Sequence, residues 1–95
     1  VPKSDALAEH VETSLDHAIG RRFADRITRI EVHLRDLNAD KSGVDKRCKL
    51  ELRPAGQQPL VVESDSRDMY EAITQATKKA ERALAHRFER QDERR

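Results

Sequence analysis

From Ser66 to Arg95 the apolar residues Met69, Ile73, Ala76, Ala80, Leu84 and Phe88 recur at steps of three and four. That spacing lines up one face of an α-helix and makes it amphipathic. Most of the stability of such a helix comes from packing its apolar face, so the remainder of the chain has to supply a surface for this stripe to cover. On or beside the opposite face lie Lys78, Lys79, Arg82, His86 and Arg90, because residues three and four apart are neighbours on a helix.

Upstream, Ser4 and Asp5 after Pro2 form a helix-start signal, with Ser4 as the cap and Asp5 complementing the helix dipole. Leu7, Val11, Leu15 and Ile19 make the expected buried stripe, and Gly20 is the expected stop. Arg21 and Arg22 would then sit at the negative end of the dipole, as helix-terminating charges or as contacts to RNA. From Ile27 the period switches to two. Ile30, Val32 and Leu34 alternate with Arg29, Glu31, His33 and Arg35, the pattern of a strand with one buried and one wet face. The turn-rich stretch 36–45 leads to a second strand with Cys48, Leu50 and Leu52 inward. Pro54-Ala55-Gly56 turns the chain into a third strand, Leu60 to Ser64, after which Asp65 or Ser66 is expected to cap the long helix.

The expected fold is therefore α+β, a two-layer α-β-β-β-α sandwich with an antiparallel sheet and both helices on one face. Residues 1–91 form one domain and 92–95 a frayed basic tail. The other sheet face stays wet, setting Arg29, Arg35, Arg47, Lys49 and Arg53 against Glu31, Glu51 and Glu63. It carries no aromatic residue, which argues against a platform for stacking single-stranded bases.

A formal net charge of +1 hides an asymmetry: residues 78–95 hold seven basic and four acidic side chains, net +3, whereas residues 1–77 are net −2. A basic end on a near-neutral chain suits a polyanion met by one face rather than a general nucleic-acid binder. The single cysteine, Cys48, excludes an internal disulfide and a multi-cysteine zinc site and fits a reducing compartment; its strand parity makes it a buried, inert thiol. With no membrane-length apolar run and no signal-peptide pattern, a cytoplasmic protein without a membrane partner is expected.

No enzyme site can be assembled from the spacings, and no cofactor is implied. His10 and His17 lie two helical turns apart, roughly 10 Å, too far for a usual pair of metal ligands, so they read as solvated. His33 reads as a surface or RNA-facing side chain. Tyr70 is expected to cover the edge of the core with its ring.

The run S-D-S-R-D-M-Y-E-A-I-T-Q-A-T-K-K-A-E-R-A-L at Ser64 to Leu84 resembles the ribosome hibernation-promoting factor family, also called ribosome-associated inhibitor or sigma-54 modulation proteins. The likeness extends back through D-R-I-x-x-I-x-V-x-L at Asp25 to Leu34 and D-K-R-C-x-L-E-L at Asp45 to Leu52. It implies a β-α-β-β-β-α fold and a factor that binds the small ribosomal subunit, its 16S-type RNA and neighbouring proteins, at the decoding channel under stress or in stationary phase, inhibiting translation. The matching basic positions of the last helix are Lys79, Arg82, Arg90 and Arg87, with Lys78 on the same polar face. Lys46, Arg47 and Lys49 occupy a strand region that is also basic in the family. The family's first strand would precede Pro2, and about ten further upstream residues are expected to form it. Without it, the Ile27 strand would be an open edge available for self-association.

Two other readings stand beside this one. Helix, three strands, helix is also the order of the double-stranded RNA-binding domain, although that domain places its lysines at the N-terminus of the last helix and here they lie about three turns in. The third reading is a protein-interaction or oligomerisation module that binds no RNA.

Overall fold

Asp5–Leu15 form α1, continued by a π-helical turn, Asp16–Gly20, a short α2, Arg21–Phe23, and a 3₁₀ turn, Ala24–Arg26. The strands are β1 (Ile27–Asp36), β2 (Lys46–Pro54) and β3 (Leu60–Ser66), and α3 runs from Met69 to Glu93. The computed structural model describes residues 5–37 and 43–93. The Ser4 cap, the centre of the 36–45 connection and the last two residues of the expected tail lie outside the described residues.

The sheet is antiparallel in the order β1-β2-β3. Because β2 is central, its inward residues Cys48, Leu50 and Leu52 are completely buried, whereas Ile30, Val32 and Leu34 on β1 are only half-buried. α3 lies across β2 and β3. Its Ala72, Ala76 and Ala80 are fully buried, and side chains this small let the helix backbone approach the strands closely, while Ile73, Leu84 and Phe88 fill the remaining depth. This is the expected α+β sandwich.

The first helical segment departs from expectation at its end. Gly20 does not stop the helix: it keeps helical angles (φ −58°, ψ −37°), and the chain continues in helix through Phe23. The continuation carries Ile19 and Phe23 into the core, Phe23 packing on Phe88 at 5.4 Å between ring centroids. By contrast Leu7, Val11 and Leu15 are half-buried, since α1 leans on the flank of α3 and only its continuation reaches the core. Arg21 and Arg22 still occupy the last helical turn, which now ends at Phe23 rather than at Gly20; Arg22 stacks 4.9 Å from the Phe23 ring and lies 3.8 Å from Glu81.

The nearest atoms that a Cβ at Gly20 would meet belong to the Asp16 side chain, its Oδ1 at 2.8 Å. Asp16 is exposed and free to rotate away. Gly20→Ala is therefore expected to stabilise the domain by up to about 1 kcal/mol, the helix-interior advantage of alanine over glycine, seen as a higher urea midpoint. A stop glycine with positive φ would give the opposite sign. Gly56, at φ +71° in the Pro54–Gln57 turn closed by Gln57 N–H donating to Pro54 O at 3.2 Å, is a position of that second kind.

Asp68, rather than Asp65 or Ser66, caps α3: the Tyr70 N–H donates to Asp68 Oδ1 at 3.0 Å, and the Ala72 N–H to Asp68 O at 3.0 Å. Ser66 instead ends β3 and accepts from the Asp68 N–H at 3.3 Å. His10 is not simply solvated. Its Nε2 donates to Tyr70 O at 3.1 Å and lies 2.9 Å from Thr74 Oγ1, tying α1 to the start of α3. Tyr70 is 39% exposed and meets the His10 ring edge-on at 5.1 Å, so its ring covers that tie rather than the core. At the far end, Arg26 stacks 3.9 Å from the Phe88 ring centroid and donates to Gln91 Oε1 (3.1 Å) and Asp92 Oδ1 (3.3 Å). These bonds accompany the continuation of α3 to Glu93, beyond the point where its apolar pattern ends.

Candidate nucleic-acid interface

On α3, Lys79, Arg82, His86 and Arg90 follow one another at steps of three, four and four, which sets them in a single stripe along roughly 16 Å of helix. All four are exposed. Among the described residues Arg82, Arg90 and the neighbouring Lys78 make no ion pair or side-chain hydrogen bond. Two acidic residues of the same helix are engaged elsewhere: Glu81 faces Arg22, and Asp92 is held by Arg26. The guanidinium groups of Arg82 and Arg90 therefore keep their donors for an outside acceptor.

Lys79 and Arg87 are positioned differently. Lys79 Nζ donates to Glu63 O at 2.8 Å on the outer edge of β3, and Arg87, half-buried, donates to Gln58 O in the β2–β3 turn. Both tie the helix to the sheet. Beside Arg87 lies an open groove of about 610 Å³ whose walls include Gln57, Leu60, His86 and Arg90.

The strand residues face other partners. Lys46 Nζ donates to Asp36 Oδ1 at 2.6 Å and to Asp45 Oδ2 at 3.4 Å, and Arg47 grips Asp65 with two hydrogen bonds, Nε at 2.8 Å and a terminal nitrogen at 3.1 Å. These bonds hold the Asp36 and Asp65 carboxyls below, and the Lys46 and Arg47 cations above, their ordinary pKa values. Lys79 adds a smaller downward push on Asp65, so Arg47 and Lys79 meet around that carboxylate at the β3 edge. Lys49 stands between His33 and Glu63 in the sheet register. The eight basic positions thus divide. Lys78, Lys79, Arg82 and Arg90 lie on the helix face, Arg87 is a strut, Lys46 and Arg47 are already paired, and Lys49 is on the open sheet face.

Register reveals something that alternation alone could not. On the open face Arg29 faces Arg53, Glu31 faces Glu51, His33 faces Lys49, and Arg35 faces Arg47. The open face is therefore banded, with like charges side by side at Arg29–Arg53, Glu31–Glu51 and Arg35–Arg47, an arrangement that destabilises a sheet. Cys48 is buried on the opposite face, and burial pushes its thiol up to about 11. It plays no part in the surface.

No curated protein matches the sequence significantly. Among solved structures, the chain is similar to a ribosomal subunit interface protein from Coxiella burnetii, with 26% identity, a TM-score of 0.73, and 90% of this chain and 86% of that one covered. It also shares the fold of the N-terminal domain of Thermus thermophilus Protein Y, at 24% identity and a TM-score of 0.68 over 88% of this chain and 84% of that one. The family model described as sigma 54 modulation protein / S30EA ribosomal protein matches residues 1–92. A match spanning nearly the whole chain places it by sequence where the sandwich places it by shape, and the protein belongs to the sigma 54 modulation protein / S30EA ribosomal protein family.

Proposed function

We propose that this protein is a ribosome-associated factor that binds RNA of the small subunit at the decoding channel through the basic stripe of α3 and thereby inhibits translation under stress. The observation that carries the reading is the row of exposed cations at Lys79, Arg82 and Arg90, with His86 in the same stripe and both arginines unpaired among the described residues, in a chain of this family. Arginine presents a planar fork to phosphate oxygens and lysine a point charge. Recognition is then of backbone and shape, with little base reading. The protein acts by occupying a site rather than by catalysis, in the cytoplasm; no helix among the described residues is long and apolar enough to cross a membrane.

Co-sedimentation with purified small subunits across a salt titration tests the proposal. Three phosphate contacts should give a log–log slope of roughly −2 to −3. Binding that is flat in salt, or absent at low salt, would count against it. A second reading draws on β1, ten residues long, whose outer edge has no strand neighbour among the described residues and along which another strand could add. Concentration-dependent self-association without ribosome binding would favour that reading.

A further inference from the structure

On the open face of the sheet, far in sequence from the basic stripe, Glu31, His33 and Glu51 bring one carboxylate oxygen, one imidazole nitrogen and another carboxylate oxygen within 4.8 Å of one another. Glu31 and His33 are two residues apart on β1, hence on the same face, and Glu51 is the register partner of Glu31 on β2. Two ligands at i and i+2 on a strand and a third from the adjoining strand make a tripod on a rigid hydrogen-bonded frame. We propose that these three side chains bind a first-row divalent metal ion, with Zn²⁺ the best match to two carboxylate oxygens and an imidazole nitrogen.

The geometry needs little adjustment. Donor atoms around tetrahedral zinc lie about 3.4 Å apart, given metal–ligand distances near 2.1 Å, so side-chain rotations of about 1 Å close the tripod. His33 is exposed and the two glutamates half-buried, which leaves the fourth coordination position open to water or an outside ligand. The placement also answers an electrostatic problem. Two carboxylates set directly opposite each other repel, and each has one arginine from its own strand beside it, Arg29 at 3.3 Å from Glu31 Oε1 and Arg53 at 3.9 Å from Glu51 Oε1. Lys49, across from His33, pulls the other way but has Glu63 on its far side. A dication between Glu31 and Glu51 neutralises both carboxylates at once. The imidazole selects against Mg²⁺ and Ca²⁺, which prefer all-oxygen shells.

Metal binding at this face is independent of RNA binding and is tested without ribosomes. Zinc chloride titrated into the 95-residue chain by calorimetry should show one saturable site, and Co²⁺ should develop the visible absorption of a tetrahedral nitrogen–oxygen centre. His33→Ala and Glu51→Gln should each weaken binding by at least about tenfold, a loss that even outer-sphere partners of a metal can cause, while His17→Ala and His86→Ala leave it unchanged. These side chains lie outside the core, and circular dichroism confirms that each variant is folded. Absence of saturable binding into the millimolar range, or binding indifferent to His33→Ala, overturns the proposal.

Discussion

Reversing two charges, Arg82→Glu together with Arg90→Glu, is expected to lower affinity for the small ribosomal subunit by about two orders of magnitude while leaving the domain folded. Each arginine is exposed and has no internal partner among the described residues, so the folded state gives up no bond when they change. A charge-assisted hydrogen bond contributes about 1.5–3 kcal/mol. Removing two such bonds accounts for the hundredfold drop, and the new carboxylates repel phosphate besides. The salt slope should fall along with the affinity, by close to one unit for each phosphate no longer neutralised. Arg47→Glu is the instructive contrast, because it also breaks the paired bonds to Asp65 and so mixes a structural change with any effect on RNA. Co-sedimentation of the double variant beside the parent checks the expectation, and equal affinities would remove the α3 stripe from the site.

The second large effect concerns the frame that holds that stripe. Leu50→Ala should destabilise the domain by about 3 kcal/mol, within the 2–5 kcal/mol range for emptying a buried leucine position. Leu50 is fully buried at the middle of the central strand, with Val32 and Val62 as its register partners and α3 above it. Neighbours anchored on both sides leave it little room to collapse into the cavity. Against the 5–15 kcal/mol typical of a small domain, this is a large share. Urea unfolding gives the number directly, and the rate of Cys48 alkylation gives a second readout. The Cys48 thiol, two residues away on the same inward face, is completely buried with its pKa pushed up to about 11, so it reacts chiefly in opened molecules, whose population the variant raises. A change below 1 kcal/mol would mean that the sheet and α3 close over the gap.

The elements visible in the sequence are those whose signal is a period. The inward side of β2 at Cys48, Leu50 and Leu52 and the stripe from Met69 to Phe88 are both readable, because burial on one face leaves a repeating apolar mark. What stays hidden depends on a partner distant in sequence. Gly20 resembles a stop because glycine favours stops, yet the burial of Ile19 and Phe23 carries the helix past it. His10 resembles a solvated side chain because nothing nearby in sequence reveals Thr74 and Tyr70. The same holds for the basic residues. Composition marks Arg47 and Arg82 alike, and only the fold separates a guanidinium clamped to Asp65 from one with no partner among the described residues. The convergence of Glu31, His33 and Glu51 needs the β1–β2 register, which no local spacing contains.

The packing of Arg26 against Phe88, Gln91 and Asp92 governs how the end of α3 can meet a ligand. Helix ends ordinarily fray, and a side chain on a fraying turn has to be brought to order when it binds, at a cost in entropy. Here the turn that carries Arg90 is braced from its far side, by the ring beneath it and by the two residues that follow. The backbone freedom of this turn is surrendered during folding, so in the proposed contact an incoming anion would find Arg90 on a preorganised mount, with only the side chain left to still.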